Sequence, residues 1–137
     1  MPIINFKPEF AELVASGKKR QTIRKIRKRP FKVGDKLYLY TGLRTKGVRN
    51  LIIASMADGF DFPIRYYVKC KEVHDIEILE YYGFGGDYVV SLDNGKPLTC
   101  NQADAIAIHD GFETAEEMCD WFKKTHGLPF YGQLVRW

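Results

Sequence analysis

No stretch of this sequence approaches the roughly 18 to 20 consecutive apolar residues that a membrane span requires. Met1 to Phe10 likewise carries no basic segment followed by an apolar run. The expectation is a cytoplasmic protein, neither secreted nor membrane-bound. Cysteine is sparse: Cys70, Cys100 and Cys119 lie far apart with no CxxC pair, which argues against a disulfide framework and a zinc ribbon. Reduced thiols in the core are the plainer reading. His74, His109 and His126 are as scattered, with no HExxH pair to set two ligands on one helix face. Neither a metal nor a cofactor is expected. Repeats and low-complexity linkers are missing too, so a single domain over residues 1–137 is expected.

Apolar residues make up 45% of the chain and charged ones 28%, a balance that excludes disorder as a description of the whole. At this length about two thirds of the unfolded surface can be buried without staples. Charge is distributed unevenly. Lys18, Lys19, Arg20, Arg24, Lys25, Arg27, Lys28 and Arg29 share one segment without an acid, so that segment carries +8 of a formal net +4 and the rest is net −4. Clustered cations of this kind concentrate an anionic partner and release counterions from phosphates. A solvated basic loop without a partner is the plainer alternative.

Pro8 to Ser16 places Phe10, Leu13 and Val14 at helical spacing, with proline at the start and Gly17 at the stop. The basic run after it reads as a loop. Val33-Gly34-Asp35 is a turn leading into a strand, Lys36 to Tyr40. Leu51 to Ala57 is apolar and strand-like, followed by a Gly, Asp and Pro loop at Asp58 to Pro63, and Arg65 to Leu79 is a long β-rich run. In Tyr88 to Leu98 an Asn94-Gly95 pair predicts a hairpin. Asn101 to His109 reads as helix, and Thr114 with Glu117 three residues on opens another whose Met118, Trp121 and Phe122 stripe reads as core. Tyr131 to Trp137 is a final strand. The order indicates an α+β fold around a small closed or nearly closed sheet.

Gly17-Lys18-Lys19-Arg20-Gln21-Thr22-Ile23-Arg24, then Val33-Gly34-Asp35 and Leu37-Tyr38-Leu39, resembles the ASCH family of the PUA-like superfamily, whose pattern is a short helix, G-x-K-x-x-T-x-R and a glycine-aspartate turn into a barrel strand. The resemblance spans most of the chain. It implies a PUA-like small β-barrel with a short N-terminal helix, two helices near the C-terminus, and a cleft beside the motif. The family is associated with RNA binding and with small RNA-related hydrolases. In members that hydrolyse acylated cytidines, a lysine and a threonine of the motif work with an acid in the late helical region. The matching residues are Lys19, Thr22 and Asp110, although those members carry glutamate at the acid and the alignment also admits Glu113. Nuclease-type members resemble the stretch holding Tyr40 and Lys46 but use a serine near the C-terminus, and this chain has none after Ser91.

A lysine crowded by cations has its ammonium disfavoured, which frees a neutral amine as base or nucleophile; solvent screening would instead leave Lys19 an ordinary phosphate contact. Thr22 either orients a water or is an ordinary strand threonine. Tyr40 is followed by Arg44, Lys46 and Arg49, a pattern that stacks a base and holds its phosphates, or is simply loop and core. Candidate nucleic-acid contacts are thus Lys18, Arg20, Arg24, Tyr40, Arg44 and Lys46, and Lys19, Thr22 and Arg24 are expected to border the same cleft as Tyr40 and Arg44. Tyr81 to Asp87 is glycine-rich but lacks the Lys-Ser/Thr of a phosphate loop, and reads as a connection with Tyr82 or Phe84 as minor cleft candidates. The foremost reading is a module binding RNA or a nucleotide, with no membrane partner and no identified protein partner. Second is an amidohydrolase of acylated pyrimidine nucleosides, ahead of a ribonuclease and a protein-interaction domain.

Overall fold

The structure, a computed structural model, describes residues 2–52, 67–81 and 87–137. Its elements run β1 (Ile3–Phe6), α1 (Pro8–Ala15), β2 (Gln21–Lys25), β3 (Lys36–Thr41), β4 (Arg49–Asn50), β5 (Val68–Lys69), β6 (Glu72–Tyr81), β7 (Asp87–Leu92), α2 (Cys100–Asp110), α3 (Ala115–His126) and β8 (Phe130–Arg136). The fold is mixed α+β, with two sheets and three helices that lie wholly within the described residues. None of these helices is long and apolar enough to cross a membrane.

In the first sheet β3 pairs in parallel with β1 and antiparallel with β4 and β5. The second is antiparallel throughout, in the order β2-β8-β6-β7. Alternation along β1 buries Ile4 and Phe6 and exposes Ile3 and Asn5. Ile4 and Phe6 join Leu37 and Leu39 of β3, Ala11 and Val14 of α1, and Val135 of β8 in one core cluster. The other packs Ile76, Ile78 and Leu134 against Ile106, Met118 and Phe122 of the late helices. Phe10 touches both clusters, so α1 sits where the two cores meet.

Several expectations need correction. The basic run is not all loop, because Gln21 to Lys25 forms β2, an edge strand on β8. An edge strand tolerates Arg24 and Lys25, whose charges disguise it in the sequence. Leu51 and Ile52 are helical rather than extended, and most of the strand expected there, with the Asp58 to Pro63 loop, lies outside the described residues, as do Tyr82 and Phe84. The β-rich run breaks at Cys70 and Lys71 into β5 and β6. The turn after β7 is centred one residue earlier than Asn94-Gly95: Asp93 and Asn94 have φ of 53° and 55°, and the Gly95 N–H donates to Leu92 O at 2.9 Å. Asp and Asn tolerate this left-handed geometry. The chain then returns only through a bridge between Ser91 and Pro97, while β7 takes β6 as its partner. A capping box at Thr99 and Gln102 opens α2.

Gly132 fixes how closely β2 lies on β8. A Cβ at this position would meet Arg24 O at 2.2 Å and the Phe130 ring at 2.8 Å. Gly132→Ala is therefore expected to destabilise by about 1–3 kcal/mol in urea unfolding, the range for overpacking a filled site. Unchanged stability would mean that β2 is free to shift.

Candidate active site

Helix α1 ends at Gly17, whose φ of 78° turns the chain back, and the Lys19 N–H then donates to Leu13 O at 2.9 Å. That reversal sends the Lys19 side chain inward beneath Phe10, with Nζ 5.1 Å from the ring centre. Helix α2 ends similarly at Gly111, φ 100°. A Cβ there would touch Leu13 at 3.1 Å and Phe10 at 3.4 Å, so α1 packs directly on the end of α2. Two glycine-terminated helices thus bring Lys19 and Asp110 together across 91 positions of sequence.

Lys19 is 3% exposed and Asp110 4%. Lys19 Nζ donates to the Asp110 backbone carbonyl and lies 3.2 Å from Asp110 Oδ1. A cation at the carbonyl end of a helix also complements the helix dipole. Burial pushes the Lys19 amine below its ordinary value, Asp110 opposes this, and Arg24 adds a smaller downward push. The principal cause is thus desolvation, not the crowding of cations that the sequence suggests. Asp110 Oδ1 also accepts from Gln21 Nε2 at 3.2 Å, and Gln21 Oε1 accepts from Arg136 Nε at 3.0 Å. Arg136 continues to Glu72 at 3.3 Å. A hydrogen-bonded chain therefore holds the acid from the strand side. Glu113 is exposed, and its backbone N–H donates to Glu117.

A cavity of about 390 Å³ opens beside this pair, lined by Lys19, Thr22, Arg24 and Asp110 with Phe6, Phe10, Phe112, Trp121 and His126. Arg24 Nε donates to Thr22 Oγ1 at 2.9 Å, and its guanidinium lies 4.9 Å over the Phe6 ring. Burial lowers the Arg24 pKa to about 10, which still leaves it charged at neutral pH. His126 stacks on Phe122 at 5.7 Å, and its pKa is lowered by burial and by Lys25, Lys7 and Arg24.

Of the sequence candidates, Lys19, Thr22, Asp110 and Arg24 meet here, whereas Tyr40, Arg44 and Lys46 are not in the wall. The expected single cleft is not formed. Tyr40 lies in β3 opposite Asn5, and Arg44 and Lys46 are exposed in the turn that follows. Lys18 and Arg20 are also exposed and border a separate depression with Lys71 and Arg136. Sequence reasoning assigned Trp121 to the core, yet it is half-buried and lines the cavity with Phe122. It overlooked Gln21, Arg136, Phe6 and His126. For His126 a signal existed, since it sits four residues after Phe122 on the same helical face. Among the described residues no three histidine, cysteine, aspartate or glutamate side chains cluster as metal ligands do. Comparison of the chain with protein-family models, curated proteins and solved structures finds no match.

Proposed function

We propose that this chain is an ASCH-type domain with a PUA-like barrel and that it hydrolyses the acyl amide of an acylated cytidine-type nucleoside. The observation that carries the reading is the buried Lys19–Asp110 pair in the wall of a cavity that also presents Thr22. In its neutral form the Lys19 amine donates to the Asp110 backbone carbonyl, lies 3.2 Å from Asp110 Oδ1, and keeps a lone pair to accept a proton. Thr22 accepts from Arg24, which favours the oxyanion form of its hydroxyl.

In this scheme Thr22 Oγ attacks the acyl carbon while its proton passes to Lys19. Lys19 returns the proton to the exocyclic nitrogen as the C–N bond breaks and the amine leaves. Water then attacks the acyl-threonine, giving its proton to Lys19, and the carboxylic acid departs as Thr22 recovers its hydrogen. Phe10 and Trp121, both half-buried in the cavity wall, supply aromatic surface for the pyrimidine.

Binding without catalysis, the reading first suggested by the basic run, accounts for the exposed Lys28 and Arg29 but not for a lysine withdrawn from solvent. A ribonuclease reading loses support because Tyr40 and Lys46 stand outside the cavity. The test is turnover of an acylated cytidine, with the acid and cytidine measured as products. A base that must be neutral predicts a rate that rises with pH through the depressed Lys19 pKa and then levels. Absence of turnover across that range removes the proposal, and a rate that falls as pH rises removes Lys19 as the base.

A further inference from the structure

An acylated cytidine is neutral, yet the cavity is strongly positive. Besides the Lys19–Asp110 pair its wall contains Lys7, Arg24, Lys25 and Arg27. None of the four forms an ion pair with a carboxylate among the described residues. Three lie against rings instead: Lys7 Nζ is 4.9 Å from the Trp121 centre, Arg24 4.9 Å from Phe6 and Arg27 4.9 Å from Phe31. These cations come from the β1–α1 junction and from β2 with the residues after it, and they converge on one hollow. His126 of α3 lines the same cavity, and its pKa is lowered first by burial and then by Lys25, Lys7 and Arg24. Lys7, Lys25 and Arg27 are exposed at the mouth while Arg24 is withdrawn beside them, and an anion placed among the four would be attracted by all of them. Arginine planes backed by aromatic rings suit a phosphate, whose oxygens accept in pairs.

We propose that the ligand of this cavity is a nucleoside monophosphate, its base against the aromatic wall and its phosphate held by Lys7, Arg24, Lys25 and Arg27. The base is taken from the amidohydrolase reading, on which this inference rests; the phosphate follows from the charge alone. A volume of about 390 Å³ fits one such unit, near the lower end of the usual range of small-molecule sites. The reaction is unchanged, because the phosphate takes no part in breaking the amide.

Calorimetric titration of the full chain with cytidine, cytidine 5′-monophosphate and a short cytidine-rich single-stranded RNA tests this without any hydrolysis, so it can fail or succeed independently of the amidohydrolase activity. The monophosphate is expected to bind at least tenfold more tightly than cytidine. Added salt should erode that advantage, and so should Arg27→Ala and Lys25→Ala, both exposed positions whose truncation spares the core. Monophosphate binding no tighter than cytidine, or an advantage that survives loss of both charges, overturns the proposal. So does a strand that binds far more tightly than the monophosphate, since the occupant is then a polymer.

Discussion

Lys19→Ala is expected to reduce turnover of an acylated cytidine by about a hundredfold to ten-thousandfold, the usual cost of losing a general base or activated nucleophile. The size of the effect separates the competing roles. A surface lysine touching phosphate contributes about 1 kcal/mol, so its removal weakens binding roughly fivefold to tenfold. Lys19 is not a surface lysine: it is 3% exposed and committed to Asp110. A purely structural ion pair makes another prediction, that activity is lost only in proportion to unfolded protein. Urea unfolding of the variant therefore accompanies the kinetics, and rates are expressed per folded molecule. Lys19→Met, which keeps the length of the side chain without its base, should be as inactive while retaining more stability. Either variant keeping more than a tenth of the wild-type rate would remove Lys19 from the chemistry.

Legibility in the sequence followed the range of the forces involved. Helix α1, strand β3, helices α2 and α3 and strand β8 could all be read locally, because apolar spacing and a glycine, proline or cap mark each one. Strand β2 could not. Its Arg24 and Lys25 look like solvated loop until β8 is known to lie alongside. Strand β1 is only four residues long and owes its extended form to pairing with β3 across more than thirty positions. The site divides the same way. Lys19 and Thr22 stand out as a short-range motif, whereas Gln21 is fully buried for the sake of Asp110 and Arg136, both over eighty residues away, and nothing local announces it. Tyr40 with Arg44 and Lys46 failed as cavity residues for the converse reason. Proximity to a basic segment in sequence says little about which side of a sheet a turn will occupy.

Asp110→Ala is expected to destabilise the protein by about 3–5 kcal/mol, since breaking a buried ion pair leaves its partner's charge without compensation. Here the loss compounds, because Gln21 Nε2 gives up the same acceptor and keeps only the Ile106 carbonyl at 3.1 Å. The deficit should depend on pH in a defined direction. Lys19 already titrates below its ordinary 10.5, with Asp110 opposing the shift, so deleting the acid lowers it further. The unfolded chain then binds more protons than the folded one between the two values, and stability rises with pH across that window. The variant should be weakest well below the folded Lys19 pKa and recover as pH climbs toward 10.5. A second comparison isolates the charge: the double variant Lys19→Met with Asp110→Leu removes both ions and should regain much of the lost stability, as apolar replacements of buried pairs often do. The double variant should be inactive all the same, since the base is gone. Equilibrium urea unfolding of both variants from neutral to alkaline pH measures all of this. An Asp110→Ala deficit below about 1 kcal/mol, flat with pH, would mean that Lys19 reaches water once its partner is removed, and that the pair is not sealed in the core.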